Sequence, residues 1–205
     1  MTKIHTASQF ILSIPFTLVL AMLILLFSSV SLYNKVFYYK MVLHPYDVVR
    51  KKSYYRLITA DLVHNNLQHL LVNEGCLIVF CGFLERYLRE VTKHGSSEFG
   101  IIYFSSMLTG SLIVTIVHRK NIKYSTAGAS GSILGCLFGY MYLQPYRIVL
   151  YLPIIGGIKN EYFPAIYVIL VLILKERLSR SANSYELHFW GALGGIFSTI
   201  LVTHL

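Results

Sequence analysis

Long apolar runs separated by short charged breaks organise the chain. The first run, FILSIPFTLVLAMLILLFSSVSL from Phe10 to Leu32, is longer than the roughly 20 residues a helix needs to cross a hydrocarbon core. Its apolar part exceeds the roughly 7–15 residues of a signal-peptide core, and no small-x-small cleavage site closes it, so it reads as a retained span. Taken in order, the runs predict six spans, at about 10–32, 62–83, 99–117, 126–143, 161–174 and 187–204. The fifth is short. It follows IVLYLPIIGGIKNEYFP (Ile148 to Pro164), whose Pro153, Gly156, Gly157 and Pro164 argue for a re-entrant or interfacial approach rather than a continuous helix. With no internal repeat and no low-complexity tract, the expectation is one all-α membrane domain over residues 1–205, a bundle of six transmembrane helices.

Composition agrees with this reading. The chain is 55% hydrophobic and 13% charged, against about 25% charged in soluble domains. A net charge of +9 in a soluble protein would suggest nucleic acid. Here the basic residues fall in the breaks between spans, so anionic lipid headgroups are the expected partner and nucleic acid is not. Cys76, Cys81 and Cys136 lie in apolar segments without paired spacing, which implies neither a disulfide framework nor a zinc site.

Polar residues inside the spans carry the candidate chemistry, because ionisable groups in a bilayer are costly. The second span opens DLVHNNLQHLLVNEG, and Asn66, His69 and Asn73 are spaced to share one helix face. Singly, each reads as an interhelical hydrogen bond of about 0.6 kcal/mol. In the sixth span His188, Gly191 and Gly195 share a face; in the fourth, Gly131, Gly135 and Gly139 recur every four residues with Ser130 beside them. Small residues at that spacing let helix backbones approach closely. If the two glycine faces pack, Ser130 and His188 come within hydrogen-bond reach, and a serine with a histidine base is the minimum for nucleophilic catalysis. The oxyanion formed by serine attack needs donors already in place, for which His69, Asn73 and the backbone N–H of Ser130 are candidates. Glu186 is the only acid near His188, so a dyad is more natural than a triad. A metal site built on His64, His69 and His188 would want supporting carboxylates. Only Asp61, Glu74 and Glu186 are at hand, and nothing in that arrangement needs a serine in a glycine turn. Neither a metal nor a cofactor is expected.

These motifs resemble the rhomboid intramembrane serine proteases. His64, His69 and Asn73 match H-x4-H-x3-N, Gly128 to Gly131 match G-x-S-G, and His188, Gly191 and Gly195 match H-x2-G-x3-G, in the family's order and on the expected spans. Tyr55-Arg56 stands where the family usually has Trp-Arg in a long first loop, and Glu85 follows Asn73 at the spacing of a family glutamate. The resemblance implies Ser130 as nucleophile, His188 as general base, His69 and Asn73 as oxyanion-stabilising groups, and supporting roles for His64, Gly128, Gly131, Gly191, Arg56 and Glu85. Leu134 and Phe138 depart from the pattern, standing where members commonly carry an aromatic and a glycine.

The implied function is an intramembrane serine endopeptidase, acting on transmembrane protein substrates and residing in the cell membrane as a multi-pass protein. The alternative is a non-proteolytic rhomboid-like protein that binds membrane clients; loss of the serine or histidine would mark it, and both are present. The family topology places the N-terminus in the cytoplasm. That puts Lys3, Arg86, Arg89, Lys93, Arg147 and Lys159 inside and the remaining twelve of eighteen basic residues outside (18 − 6 = 12), against the positive-inside rule. Half of those twelve lie in the long first loop, which in rhomboids is partly embedded.

Overall fold

The computed structural model describes residues 7–152, 156–163, 165–166 and 185–204. Pro15 divides the first apolar run. Helix α1 (Ala7–Leu12) ends and α2 (Pro15–Tyr33) begins at the proline, with Ile14 between them at φ −128°, ψ 48°. Proline disfavours helical backbone in the residue before it yet suits the first turn of a helix, so the predicted span 10–32 is two helices rather than one. The first turn of α2 is completed from far away: fully buried Glu85 accepts hydrogen bonds from the Phe16 and Thr17 backbone N–H groups (3.0 and 2.8 Å), the Thr17 hydroxyl (2.8 Å) and the Ser96 hydroxyl (2.7 Å).

A long loop follows, built of α3 (Lys35–Met41), α4 (Pro45–Arg50) and α5 (Arg56–Thr59). Buried Arg56 holds it together by donating Nη1–H bonds to the Tyr39 and Val42 carbonyls at 2.9 and 2.7 Å. Leu43 pairs with Thr126, which ties the loop to the segment just before Ser130.

The second span runs unbroken from Leu67 to Val91. It starts as α6 (Leu67–Cys76), passes through a π turn at Leu77–Cys81 and ends as α7 (Gly82–Val91). It begins later than position 62 because the Asn66 side chain accepts the His69 N–H and caps the helix from outside. Asn66 is therefore not part of the polar stripe with His69 and Asn73. The span continues past position 83 because Glu85 is buried with its partners and Arg86 pairs with Glu90 at 2.9 Å one turn on.

Helix α8 (Gly95–His118) is the third span and α9 (Ser130–Leu143) the fourth. The latter starts after position 126 because Gly128, at φ +113°, interrupts helical backbone two residues before Ser130. Two strands, β1 (Ile148–Leu152) and β2 (Gly156–Lys159), pair antiparallel, Ile148 with Lys159 and Leu152 with Gly156. The segment predicted to make a re-entrant or interfacial approach thus contains paired strands, the one two-stranded sheet among the described residues; Gly156 enters β2 at φ +88°. Most of the fifth predicted span, 161–174, lies outside the described residues. The last helix is Tyr185–His204.

Three helices, Pro15–Tyr33, Leu67–Val91 and Gly95–His118, are long and apolar enough to cross a membrane. Their outer faces, and that of the last helix, carry exposed Leu26, Val72, Ile116 and Phe197, a surface suited to hydrocarbon rather than water. The chain is an all-α integral membrane bundle. At its centre α8 and α9 pack on the last helix and, on another side, meet α2 and the second span around a core that includes Phe99, Ile102, Tyr103, Ile133 and Cys136.

Candidate active site

The site is built where two glycine stripes meet. A side chain at Gly191 would lie 2.5 Å from the Gly131 carbonyl oxygen; one at Gly195 would strike the Gly135 carbonyl, and one at Gly139 the Thr199 hydroxyl. Backbone therefore rests on backbone along α9 and the last helix, a spacing only glycine permits. Ser106 of α8 fastens the seam, its hydroxyl directed to the Gly191 carbonyl at 2.7 Å and the Gly131 carbonyl at 3.3 Å. At the upper end of the seam Ser130 Oγ and His188 Nε2 stand 2.6 Å apart.

Ser130 is the first residue of α9, so its backbone N–H has no intrahelical acceptor. The turn before it is held by Gly128 N–H donating to the Ala60 carbonyl at 2.8 Å. A side chain at Gly128 would sit 2.8 Å from His69 Cε1 and 3.3 Å from His64 Nε2, so the missing Cβ is what lets both rings close over this turn. The two imidazoles pack edge to face, centroids 4.8 Å apart. His64 is buried, its Nδ1 2.8 Å from Ser28 Oγ on α2. His69 Nδ1 lies 3.2 Å from Asn65 Oδ1, and its Nε2 edge faces the turn. Asn73 donates one amide hydrogen to the His69 carbonyl at 2.9 Å, which leaves its second for another acceptor.

Asn73, Ser130 and His188 together line one end of a cavity of about 200 Å³ that continues between α6 and α9 along Cys76, Leu134 and Leu137. Arg56 and Glu85 lie away from it as braces, Arg56 in the loop and Glu85 on α7 against the start of α2. Glu186 does not serve His188. Its carboxylate is taken by His118 Nε2 at 2.5 Å and by the Tyr185 hydroxyl at 3.2 Å. Among the described residues no three His, Cys, Asp or Glu side chains are grouped so as to hold a metal.

Three supports escaped the reading of the sequence. Buried Asp61 accepts from the Tyr103 and Ser132 hydroxyls, both at 2.5 Å, and so joins the loop before the second span to α8 and α9 just below Ser130. Ser106 and Ser28 act from the third and first spans. Their only signal is a hydroxyl in an apolar run, which by itself does not say which helix it faces.

Comparison with known proteins follows the same lines. Residues 51–205 match the family model of the Rhomboid domain. The "Putative rhomboid protease YdcA" of Bacillus subtilis is 26% identical over 188 residues, which cover 92% of this chain and 87% of the relative. The "Rhomboid protease GluP" of the same organism is 28% identical over 152 residues, 74% of this chain but 27% of the relative. "RHOMBOID-like protein 6, mitochondrial" of Arabidopsis thaliana is 33% identical over 90 residues, 44% of this chain and 26% of the relative. The chain thus spans most of the first relative and only about a quarter of the other two.

Proposed function

The chain belongs to the rhomboid family, and from that premise we propose that it is an intramembrane serine endopeptidase that cuts transmembrane protein substrates with a Ser130/His188 dyad. The observation that supports this most directly is the 2.6 Å separation of Ser130 Oγ and His188 Nε2, on two helices whose spacing is fixed by backbone contact. A serine hydroxyl is a weak nucleophile until a positioned base takes its proton. As Ser130 Oγ bonds to the scissile carbonyl carbon, its proton passes to His188 Nε2 and the carbonyl oxygen becomes an oxyanion. We assign the Ser130 N–H and the second Asn73 amide hydrogen as donors to that charge, joined by His69 when its Nε2 carries a hydrogen. Collapse of the intermediate breaks the C–N bond, and the departing amine takes the proton from His188. The ester left on Ser130 is then hydrolysed by water, with His188 again as base.

With both Glu186 oxygens engaged elsewhere, the dyad works without a carboxylate. The substrate is a membrane-spanning segment that unwinds locally, because a helical backbone shields its carbonyls. The test is gel-based labelling of purified protein with a fluorophosphonate, alongside cleavage of a single-span substrate in liposomes. Labelling at Ser130 is expected, lost in Ser130→Ala and in folded His188→Ala. If folded wild-type protein is never labelled, Ser130 is a helix contact and the chain is a client-binding member of its family.

A further inference from the structure

Two consecutive loop residues hold the turn of the nucleophile from both sides. The Ala60 carbonyl accepts the Gly128 N–H at 2.8 Å, two residues before Ser130, and the Asp61 carboxylate accepts the Ser132 hydroxyl at 2.5 Å, two residues after it. The second Asp61 oxygen accepts the Tyr103 hydroxyl of α8, also at 2.5 Å. Asp61 is buried, and among the described residues no lysine, arginine or histidine pairs with it. A buried carboxylate held by two hydroxyls and no cation is costly, and the dyad chemistry makes no direct use of it.

Resting on the protease reading above, we propose that Asp61 is a positioning residue for Ser130: its ionised carboxylate, acting through Ser132, sets the first turn of α9 and with it the direction of the Ser130 hydroxyl. A carboxylate only accepts, so both hydroxyls point at it at once. A protonated carboxyl or an amide accepts from one and donates toward the other, so one hydroxyl has to turn and the grip on the helix is remade. The groups around Asp61 leave this to its own charge. Helix α8 presents the Tyr103 phenol and the second span the Cys81 thiol, both uncharged at neutral pH. Arg56 of α5 is turned to the Tyr39 and Val42 carbonyls, His64 is turned to Ser28, and α2 carries no ionisable side chain but exposed Tyr33. Burial pushes the Asp61 carboxyl up to about 6, the two hydroxyl bonds offsetting part of the rise. The folded protein therefore holds this proton more tightly than the unfolded chain does, and the stability it brings is lost as pH rises from about 4 to about 6. Keeping Asp61 ionised at neutral pH costs stability, so Asp61→Asn, which never ionises, should melt no lower than wild type there.

The test compares fluorophosphonate labelling rates of purified wild type, Asp61→Asn and Ser132→Ala between acid and neutral pH, with melting temperatures in detergent. Ratios to wild type cancel the titration of His188. Misplacement by about 1 Å can cost about 10²-fold in rate, and a single turned hydroxyl is expected to cost about tenfold. At neutral pH both variants should label about tenfold more slowly than wild type, with Asp61→Asn melting no lower. Below about 6, where wild-type Asp61 takes up its own proton, the gap between wild type and Asp61→Asn should close. A gap that persists unchanged in acid overturns the assignment, because the charge then does nothing. So does Asp61→Asn labelled at the wild-type rate, or one whose melting temperature falls along with its rate, which marks a structural brace. Ser132→Ala keeps the charge and removes the grip; if it labels like wild type while Asp61→Asn does not, Asp61 acts through its field, and the positioning role is refuted. Absence of labelling in folded wild-type protein instead sinks the protease reading itself, and this assignment with it.

Discussion

Replacing Gly191 with alanine tests whether helix spacing, rather than any polar contact, sets the reactive geometry. The new methyl would lie 2.5 Å from the Gly131 carbonyl oxygen, 2.9 Å from its carbon and 3.2 Å from its Cα, while ordinary contact begins at 3.4 Å. The obstacles are backbone atoms of the residue next to Ser130, and they cannot rotate aside. Relief needs the two helices to part by about 3.4 − 2.5 = 0.9 Å. Carried to the dyad, that stretches the Ser130–His188 contact from 2.6 to about 3.5 Å, the edge of any useful hydrogen bond. A misplacement of about 1 Å can cost on the order of 10²-fold in rate, and overpacking a tight core costs about 1–3 kcal/mol. Gly191→Ala should therefore lose about 10²-fold in fluorophosphonate labelling rate with a modest drop in melting temperature in detergent. Gly75→Ala is the control: a side chain there meets nothing within 4 Å, so its labelling should match wild type. If Gly191→Ala labels at the wild-type rate while folded, the glycine seam does not hold the dyad and the reasoning fails.

Other outcomes follow from the same contacts. Asn73→Ala should slow substrate cleavage by up to about 10²–10³-fold, the loss of one oxyanion donor, with His69→Ala having the smaller effect; wild-type rates for both in liposomes would return the pair to helix packing. Glu85→Ala orphans the Phe16 and Thr17 N–H groups at about 1–3 kcal/mol each, and should lower the melting temperature far more than Glu85→Gln, whose amide oxygen still accepts. Glu186→Gln should leave labelling of Ser130 nearly unchanged, since its carboxylate binds His118 and Tyr185 rather than His188; a large loss would give the dyad a third member.

The sequence was most informative where one residue type has one physical use. Glycines every four residues in two separate runs announced a seam, and the serine and histidine beside them do meet at its upper end. That the first three runs hold membrane-length helices was legible because the thickness of hydrocarbon demands long apolar runs. Their ends were not. Pro15 splits an apolar run that hydropathy reads as continuous, Asn66 leaves the polar stripe to cap it, and Glu85 extends a helix past the point where charge appears to end it. In each case a polar side chain or a backbone rule overrides the apolar count. Asp61, Ser106 and Ser28 were hidden for another reason: their roles depend on partners dozens of residues away in sequence, and composition carries no trace of which helices become neighbours.

The carboxylate at Glu85 also has a consequence for the order in which the chain is made. The backbone groups that open α2 have their acceptor on a residue synthesised 68 and 69 positions later, and that acceptor is itself steadied by the Ser96 hydroxyl. Until the ribosome has passed Ser96, the N–H groups of Phe16 and Thr17 can find acceptors only in water or among headgroups. Bare donors are excluded from the hydrocarbon interior, so the first turn of α2 can lie there only once the second span has brought Glu85 beside it.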